Sequence, residues 1–269
     1  MLPEYGRFGP LTFRTYTVLL DAAILLGLAV LAWHGRREGR LAAWLDTGLA
    51  ALAGGLIGGR LAHVALNRAY FLEHPGEILE VWRGGLDWHG AVIVGLAALF
   101  AAARWRGVSW QKLTSALAPA LPAGALLAYA GCLPAGCSAG REVATLADYP
   151  PLIAAELPDV YGLVAPRLNS QLLGIALSAV LLGLAWALGR WARPGVRLWP
   201  VLAVLALGVF GIGFTLDGSS APLVGGLRLD QLLDLCVAAF AAAFSLAAMW
   251  MRPALEPSTA PVQGVSHAD

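Results

Sequence analysis

TYTVLLDAAILLGLAVLAWHGRREGR, residues 15–40, decides how the rest of the chain is read. Residues 15–33 hold one charged group, Asp21, and a helix needs roughly 20 mostly apolar residues to cross hydrocarbon. Arg36, Arg37 and Arg40 come next, not a small-residue cleavage site. The run is therefore expected to stay as a membrane helix instead of leaving as a signal peptide.

Composition extends the argument to the whole chain. Of 269 residues, 58% are hydrophobic and 13% charged, with a mean hydropathy of +0.69. A soluble domain carries about 25% charged residues. A soluble core could not hide this much apolar surface, so lipid is part of the solvent. Seven stretches are long enough to span: 15–33, 45–66, 88–104, 113–133, 169–190, 198–216 and 229–251. Backbone groups in lipid must be satisfied within the chain, and nothing alternates as barrel strands do. The expected fold class is all-α, an integral membrane protein of seven transmembrane helices. No internal repeat of the transporter kind is visible.

Basic residues give the orientation. Arg36, Arg37 and Arg40 follow the first helix; Arg104, Arg106 and Lys112 the third; Arg190, Arg193 and Arg197 the fifth; Arg252 ends the seventh. Short basic connections stay in the cytoplasm, so the N-terminus is expected outside and the C-terminus inside. The opposite connections, 67–87 and 134–168, are long and mixed in charge. Loops beyond about 12–15 residues are usually functional or disordered, which makes the loop-rich extracytoplasmic face the expected working surface. Residues 1–252 read as one membrane domain and 253–269 as a disordered cytoplasmic tail. A net charge of +1 gives no reason to expect nucleic acid. Three cysteines are too few for a disulfide framework; Cys132 and Cys137 are close enough in sequence to pair, but nothing requires it.

Three places gather polar groups. In VWRGGLDWHGAVIVG, residues 81–95, His89 opens the third helix beside Arg83 and Asp87, with Gly84 and Gly85 allowing close backbone approach. An interfacial histidine satisfied by water is the plain reading; a proton carrier at neutral pH is the functional one. Arg60 sits inside the second helix, where an arginine usually faces a cavity, a partner or an anionic ligand. The small-residue face Gly54, Gly55, Gly58 and Gly59 in that helix suits tight helix packing. GCLPAGCSAGRE, residues 131–142, has three glycines followed by Arg141, a turn that suits an anion or a plain helix exit. Asp21 and Asp217 are carboxylates available to pair with Arg60 or with another cation, and Asp230 and Asp234, at the start of the last helix, read as interfacial.

Together these stretches resemble the prolipoprotein diacylglyceryl transferases, seven-helix bacterial membrane enzymes. The resemblance is carried by GGRLAHV (58–64), GEILEVWRGGLDWHG (76–90) and ALAPALPAGALLAYAGCLPAGCSAG (116–140). Arg14–Thr15–Tyr16 and Asn169–Ser170–Gln171–Leu172 are similar to two further family motifs. The resemblance implies transfer of a diacylglyceryl group from phosphatidylglycerol, or another anionic phospholipid, to the lipobox cysteine of a prolipoprotein in the bacterial inner membrane. It implies no cofactor. His89 and Tyr16 would carry the proton work, and Arg60, Arg83, Gly131, Gly136, Gly140, Arg141, Gln171 and Asp217 would bind substrate.

The chain departs from the family pattern at five positions. Tyr129 and Cys132 stand where the family's Gly-Arg-x-Gly-Asn has arginine and asparagine, and Cys137 replaces a glutamate. Gly213 and Ser220 replace arginines near the sixth helix. Each charged hydrogen bond is worth about 1.5–3 kcal/mol, so lost cations should weaken phosphate binding unless Arg141 or Arg228 takes their place. Two alternatives stay open: a lipid-binding subunit without turnover, and a thiol–disulfide membrane protein using Cys132 and Cys137.

Overall fold

The computed structural model describes residues 4–8, 11–159, 161–217 and 222–250. Among them, seven helices are long and apolar enough to cross a membrane, as the sequence predicts. They are α1 (Thr15–Arg37), α2 (Leu41–Leu66), α4 (Trp88–Arg106), α5 (Trp110–Ala135), α6 (Ser170–Trp191), α7 (Leu198–Gly213) and α8 (Leu229–Trp250), with a short α3 (Arg68–Glu73) between α2 and α4. The expected tail at 253–269 lies outside the described residues, as do Arg252 and Ser220.

The helix ends follow local chemistry. Asp87 caps α4 by accepting the Gly90 amide at 3.0 Å, and Asn169 caps α6 by accepting that of Leu172 at 3.1 Å. Gly107 closes α4 in the left-handed conformation, φ 63°. The sequence places the end of the sixth helix at residue 216, yet α7 stops at Gly213. Beyond it Leu216 bridges to Gly140 and the Asp217 amide donates to the Ala139 carbonyl at 3.0 Å, which draws the chain out of the helix.

One end of the bundle is basic. There Arg40 donates to the carbonyls of Arg106 and Gly107, Arg106 pairs with Asp46 at 2.6 Å, and Lys112 with Glu38 at 2.8 Å. Inward of these groups Leu31, Trp44, Leu99, Ala103, Val108 and Leu113 form a packed plug. The opposite end is rich in loops and holds three two-stranded hairpins that apolar patterning does not predict: β1 (Glu4–Phe8) with β2 (Leu11–Arg14), β3 (Ala154–Pro158) with β4 (Val164–Leu168), and β5 (Leu223–Val224) with β6 (Leu227–Arg228). Pro158 and Pro166 hide the second hairpin in the sequence, and an isolated pair tolerates proline on its open edges.

α2 packs along α4, α1 along α5, α5 along α6 and α7 along α8. The α2–α4 crossing is the closest in character to the small-residue reading of the sequence. With no side chain at Gly58, the Gly90 carbonyl and the Val94 side chain move into its place, and Gly54 likewise admits Ala98 and Val94. This contact fixes the start of α4, and with it His89.

Candidate functional site

The loop between α2 and α4 is built around Arg60. Its guanidinium donates to the carbonyls of Glu77 at 2.5 Å, Ile78 at 2.8 Å, Gly84 at 2.8 Å and Gly85 at 3.0 Å, and stands over the Phe71 ring. The charge expected for a ligand or for Asp21 is thus spent on main-chain acceptors that helix geometry leaves open. Gly85 has φ +75°, and a side chain there would run into His63 and Arg60, so glycine is required. The Asp87 amide donates to the Gly59 carbonyl at 2.9 Å and ties the loop's end back onto α2. Arg83 closes a turn of 3-10 helix in this loop; its side chain lies outside the described residues.

His89 emerges from this frame 2% exposed, its ring against Trp88. Nδ1 lies 3.2 and 3.3 Å from the two Asp87 oxygens, and Nε2 lies 2.8 Å from Oδ1 of Asp234. Burial raises the Asp87 carboxyl, but hydrogen bonds from the His89 ring and the Gly90 amide outweigh it, and the group sits below its ordinary value of 3.8. Asp234, read from the sequence only as a carboxylate at the start of the last helix, is 3% exposed and enclosed by protein. The helical spacing puts Asp230 and Asp234 one turn apart; Asp230 borders the cavity described below, and Asp234 is enclosed by protein. A carboxylate one turn deep in LDQLLDLC requires a partner, and that was the available signal.

A cavity of about 820 Å³ opens at this cluster. Its polar end carries Tyr16, Asp87, His89, Tyr129, Ser138 and Asp230; from there it runs between α1, α2, α4, α5 and α7 to Leu31, Leu99 and Leu117 above the basic-end plug. His89 also tops a second, almost wholly apolar cavity of about 590 Å³ between α4, α7 and α8. Of the residues singled out in sequence, Tyr16, His89, Tyr129 and Cys132 are therefore brought together.

At the glycine-rich turn other parts of the chain come in where side chains would stand: Gly131 meets the backbone of Tyr16, Gly136 that of Asp159, and Gly140 the Leu168 carbonyl. Cys132 and Cys137 are disulfide-bonded across this turn. Gln171 is 1% exposed; its Nε2 donates to the Cys137 carbonyl at 3.0 Å, while Oε1 is buried with no partner among the described residues. Arg141 exposes its side chain, and its main chain bonds Thr215 and Leu168.

Asp217 pairs not with Arg60 but with Arg167, at 2.9 Å. Arg167, missed in the sequence, is 2% exposed and also holds Glu142 at 2.7 Å and Asp159 at 3.4 Å, clasping three loop segments. The β4 segment VAPRL does not alternate and carries Pro166, so no local pattern marks Arg167. At Gly213 the space of the absent side chain is taken by Gln231 at 3.0 Å and by Nη2 of Arg228 at 3.3 Å. Arg228 in turn holds Asp230, at the cavity's polar end, through two bonds of 3.0 Å.

Comparison with known proteins gives this arrangement a family. Residues 3–248 match the family model described as prolipoprotein diacylglyceryl transferase. The chain is 34% identical over 212 residues to the phosphatidylglycerol–prolipoprotein diacylglyceryl transferase of Aromatoleum aromaticum, covering 76% of this chain and 75% of that one. It is 32% identical to the protein of the same name from Azoarcus sp., over 84% and 86% of the two chains. It is 31% identical to that of Geobacter sulfurreducens, over 86% and 89%. With seven apolar helices, a cavity headed by a histidine and a match over nearly its whole length, the chain belongs to the prolipoprotein diacylglyceryl transferase family.

Proposed function

We propose that this chain transfers a diacylglyceryl group from phosphatidylglycerol to the lipobox cysteine thiol of a prolipoprotein, forming a thioether and releasing glycerol phosphate. The observation that carries the reading is the cavity: about 820 Å³, apolar along its depth and polar only where His89, Tyr16, Tyr129 and Asp230 meet. Acyl chains fill the apolar part, which leaves the glycerol carbon bearing the phosphate at the polar end.

Two chemical tasks remain there. The thiol must lose its proton, since the thiolate is the nucleophile and a free cysteine titrates near about pH 8.5. His89 and Tyr16 line the polar end and take that work. The departing phosphate needs donors aimed at its developing charge. At two positions where the family pattern given above has arginine, this chain has Tyr129 on the cavity wall and Gly213, beside which the guanidinium of Arg228 stands. Arg228, delivered from β6 and not from α7, supplies a cation beside the cavity mouth. Arg60 acts by shaping the loop that presents Asp87 and His89.

The site faces the extracytoplasmic leaflet of the bacterial cytoplasmic membrane, with the N-terminus out and the C-terminus in. The basic end formed by Arg40, Arg106 and Lys112 supports that orientation, as does a disulfide at the loop-rich end, because disulfides persist on oxidising sides of membranes. The test is purified protein in phosphatidylglycerol vesicles with a lipobox peptide, read by mass spectrometry. A diacylglyceryl adduct on the cysteine is expected. An unmodified peptide, beside an active relative as control, rejects turnover and favours a lipid-binding role.

A further inference from the structure

We infer that Asp234 is the positioning residue of this site, holding a proton on Nε2 of His89 so that substrate protons pass on the other side of the ring, through Nδ1 and Asp87. The kinetic consequence rests on the transferase reading; the protonation pattern does not.

The two sides of the imidazole differ. The bond from Nε2 to Asp234 is 2.8 Å, the length of a charge-assisted bond, whereas Nδ1 stands 3.2 and 3.3 Å from Asp87. Exchanging bonds in empty sites are commonly long and tighten when substrate arrives, so the loose side is the working side. Exposure to the cavity agrees. Asp87 and His89 line it; Asp234, 3% exposed on α8, lines neither cavity, and its direct contact with the site is its hydrogen bond with the ring. Among the described side chains, the charged and titratable groups on this side of the fold besides Asp234 are Asp87 at the start of α4, Arg228 on β6, Asp230 at the start of α8, Tyr16 on α1 and Tyr129 on α5.

The step balances. The step starts from the neutral ring, whose one proton is on Nε2: the substrate S–H gives its proton to the bare Nδ1, Asp87 accepts a hydrogen bond from the new N–H, and the thiolate attacks the glycerol carbon. A C–S bond forms as the C–O bond to phosphate breaks, its electron pair leaving on the phosphate oxygen. The stored proton departs with glycerol phosphate, and Nε2 keeps its own proton throughout.

The full chain, labelled with ¹⁵N-histidine in lipid nanodiscs, reports the ring directly, and the His89 signals are those lost in His89→Gln among five histidines. Nε2 is expected to be protonated in the wild type and to lose that preference in Asp234→Asn. In vesicles, Asp234→Asn is expected to lower kcat by about 10²–10⁴ with little change in KM for lipid, as when a triad histidine is left in the wrong tautomer. Asp234→Glu should recover much of the loss. A wild-type ring bare at Nε2 overturns the inference, and this readout stands even if Asp234→Asn does not fold. So does Asp234→Asn with kcat within about threefold of wild type. A wild type that shows Nε2–H yet modifies no peptide rejects the transferase reading alone.

Discussion

At the scale of single residues, the site depends on groups whose hydrogen bonds are directed at protein, not water. Arg60 is the clearest case: four carbonyls of one loop converge on it. Lysine carries the same charge but cannot span that fan of acceptors. Arg60→Lys is therefore expected to loosen residues 74–86, seen as faster proteolysis of that loop, and to cut activity while the helices remain folded. Asp87 gives the pH dependence. Its folded carboxyl lies below 3.8, so the stability it adds is fully present above the unfolded value and disappears as pH falls through the lower folded one. Between about pH 5 and 6, above 3.8 and still below the ~6.5 of an unfolded histidine, Asp87→Asn and wild type should keep a constant difference in unfolding temperature, and the difference should shrink in stronger acid. The residue scale was also the hardest to read in advance. Asp234 acts through His89, 145 positions away, and Arg167 through Glu142 and Asp217, 25 and 50 away, besides the nearer Asp159; the long separations are ones that local pattern does not register.

Elements show the opposite balance. All seven long helices were legible, because a run of about 20 apolar residues has few alternatives in lipid. The glycine face of α2 was legible for the same kind of reason: small residues at one helical spacing invite a neighbour. Gly58→Leu would place a branched side chain where the Gly90 carbonyl and Val94 stand. Overpacking costs about 1–3 kcal/mol, and here it would also push α4 and His89 off α2, so both thermal stability and activity should fall. The β3–β4 hairpin was not legible, since Pro158 and Pro166 break its strand pattern and its tie to the rest of the loop face is the ion-pair clasp at Arg167. Arg167→Met removes ion pairs to Glu142, Asp159 and Asp217 and should expose the 140–168 segment to protease. Cys132 and Cys137, five apart, close a loop so short that the disulfide is worth about 2 kcal/mol by chain entropy. The double serine variant is expected to melt lower yet keep its activity; complete loss in a folded variant would favour thiol–disulfide chemistry instead.

For the whole molecule, the two ends divide the labour. Charged clasps and a packed apolar plug close the basic end, while the loop-rich end carries the cavity mouth, the disulfide and the hairpins. Ser138, exposed at that mouth, tests the orientation. In a Cys236→Ser background, Ser138→Cys should react with a membrane-impermeant maleimide added to intact spheroplasts; labelling only after lysis would invert the topology. The plug has a further consequence, which concerns voltage. A hollow reaching from one surface down to Leu31, Leu99 and Leu117 leaves the layer around Trp44 and Leu113 as the insulator at that point of the membrane. Most of the electrical field would drop across those few side chains whenever water, not lipid, occupies the hollow. Trp44→Ala should then make liposomes leak protons, and filling the hollow with phospholipid should seal them again.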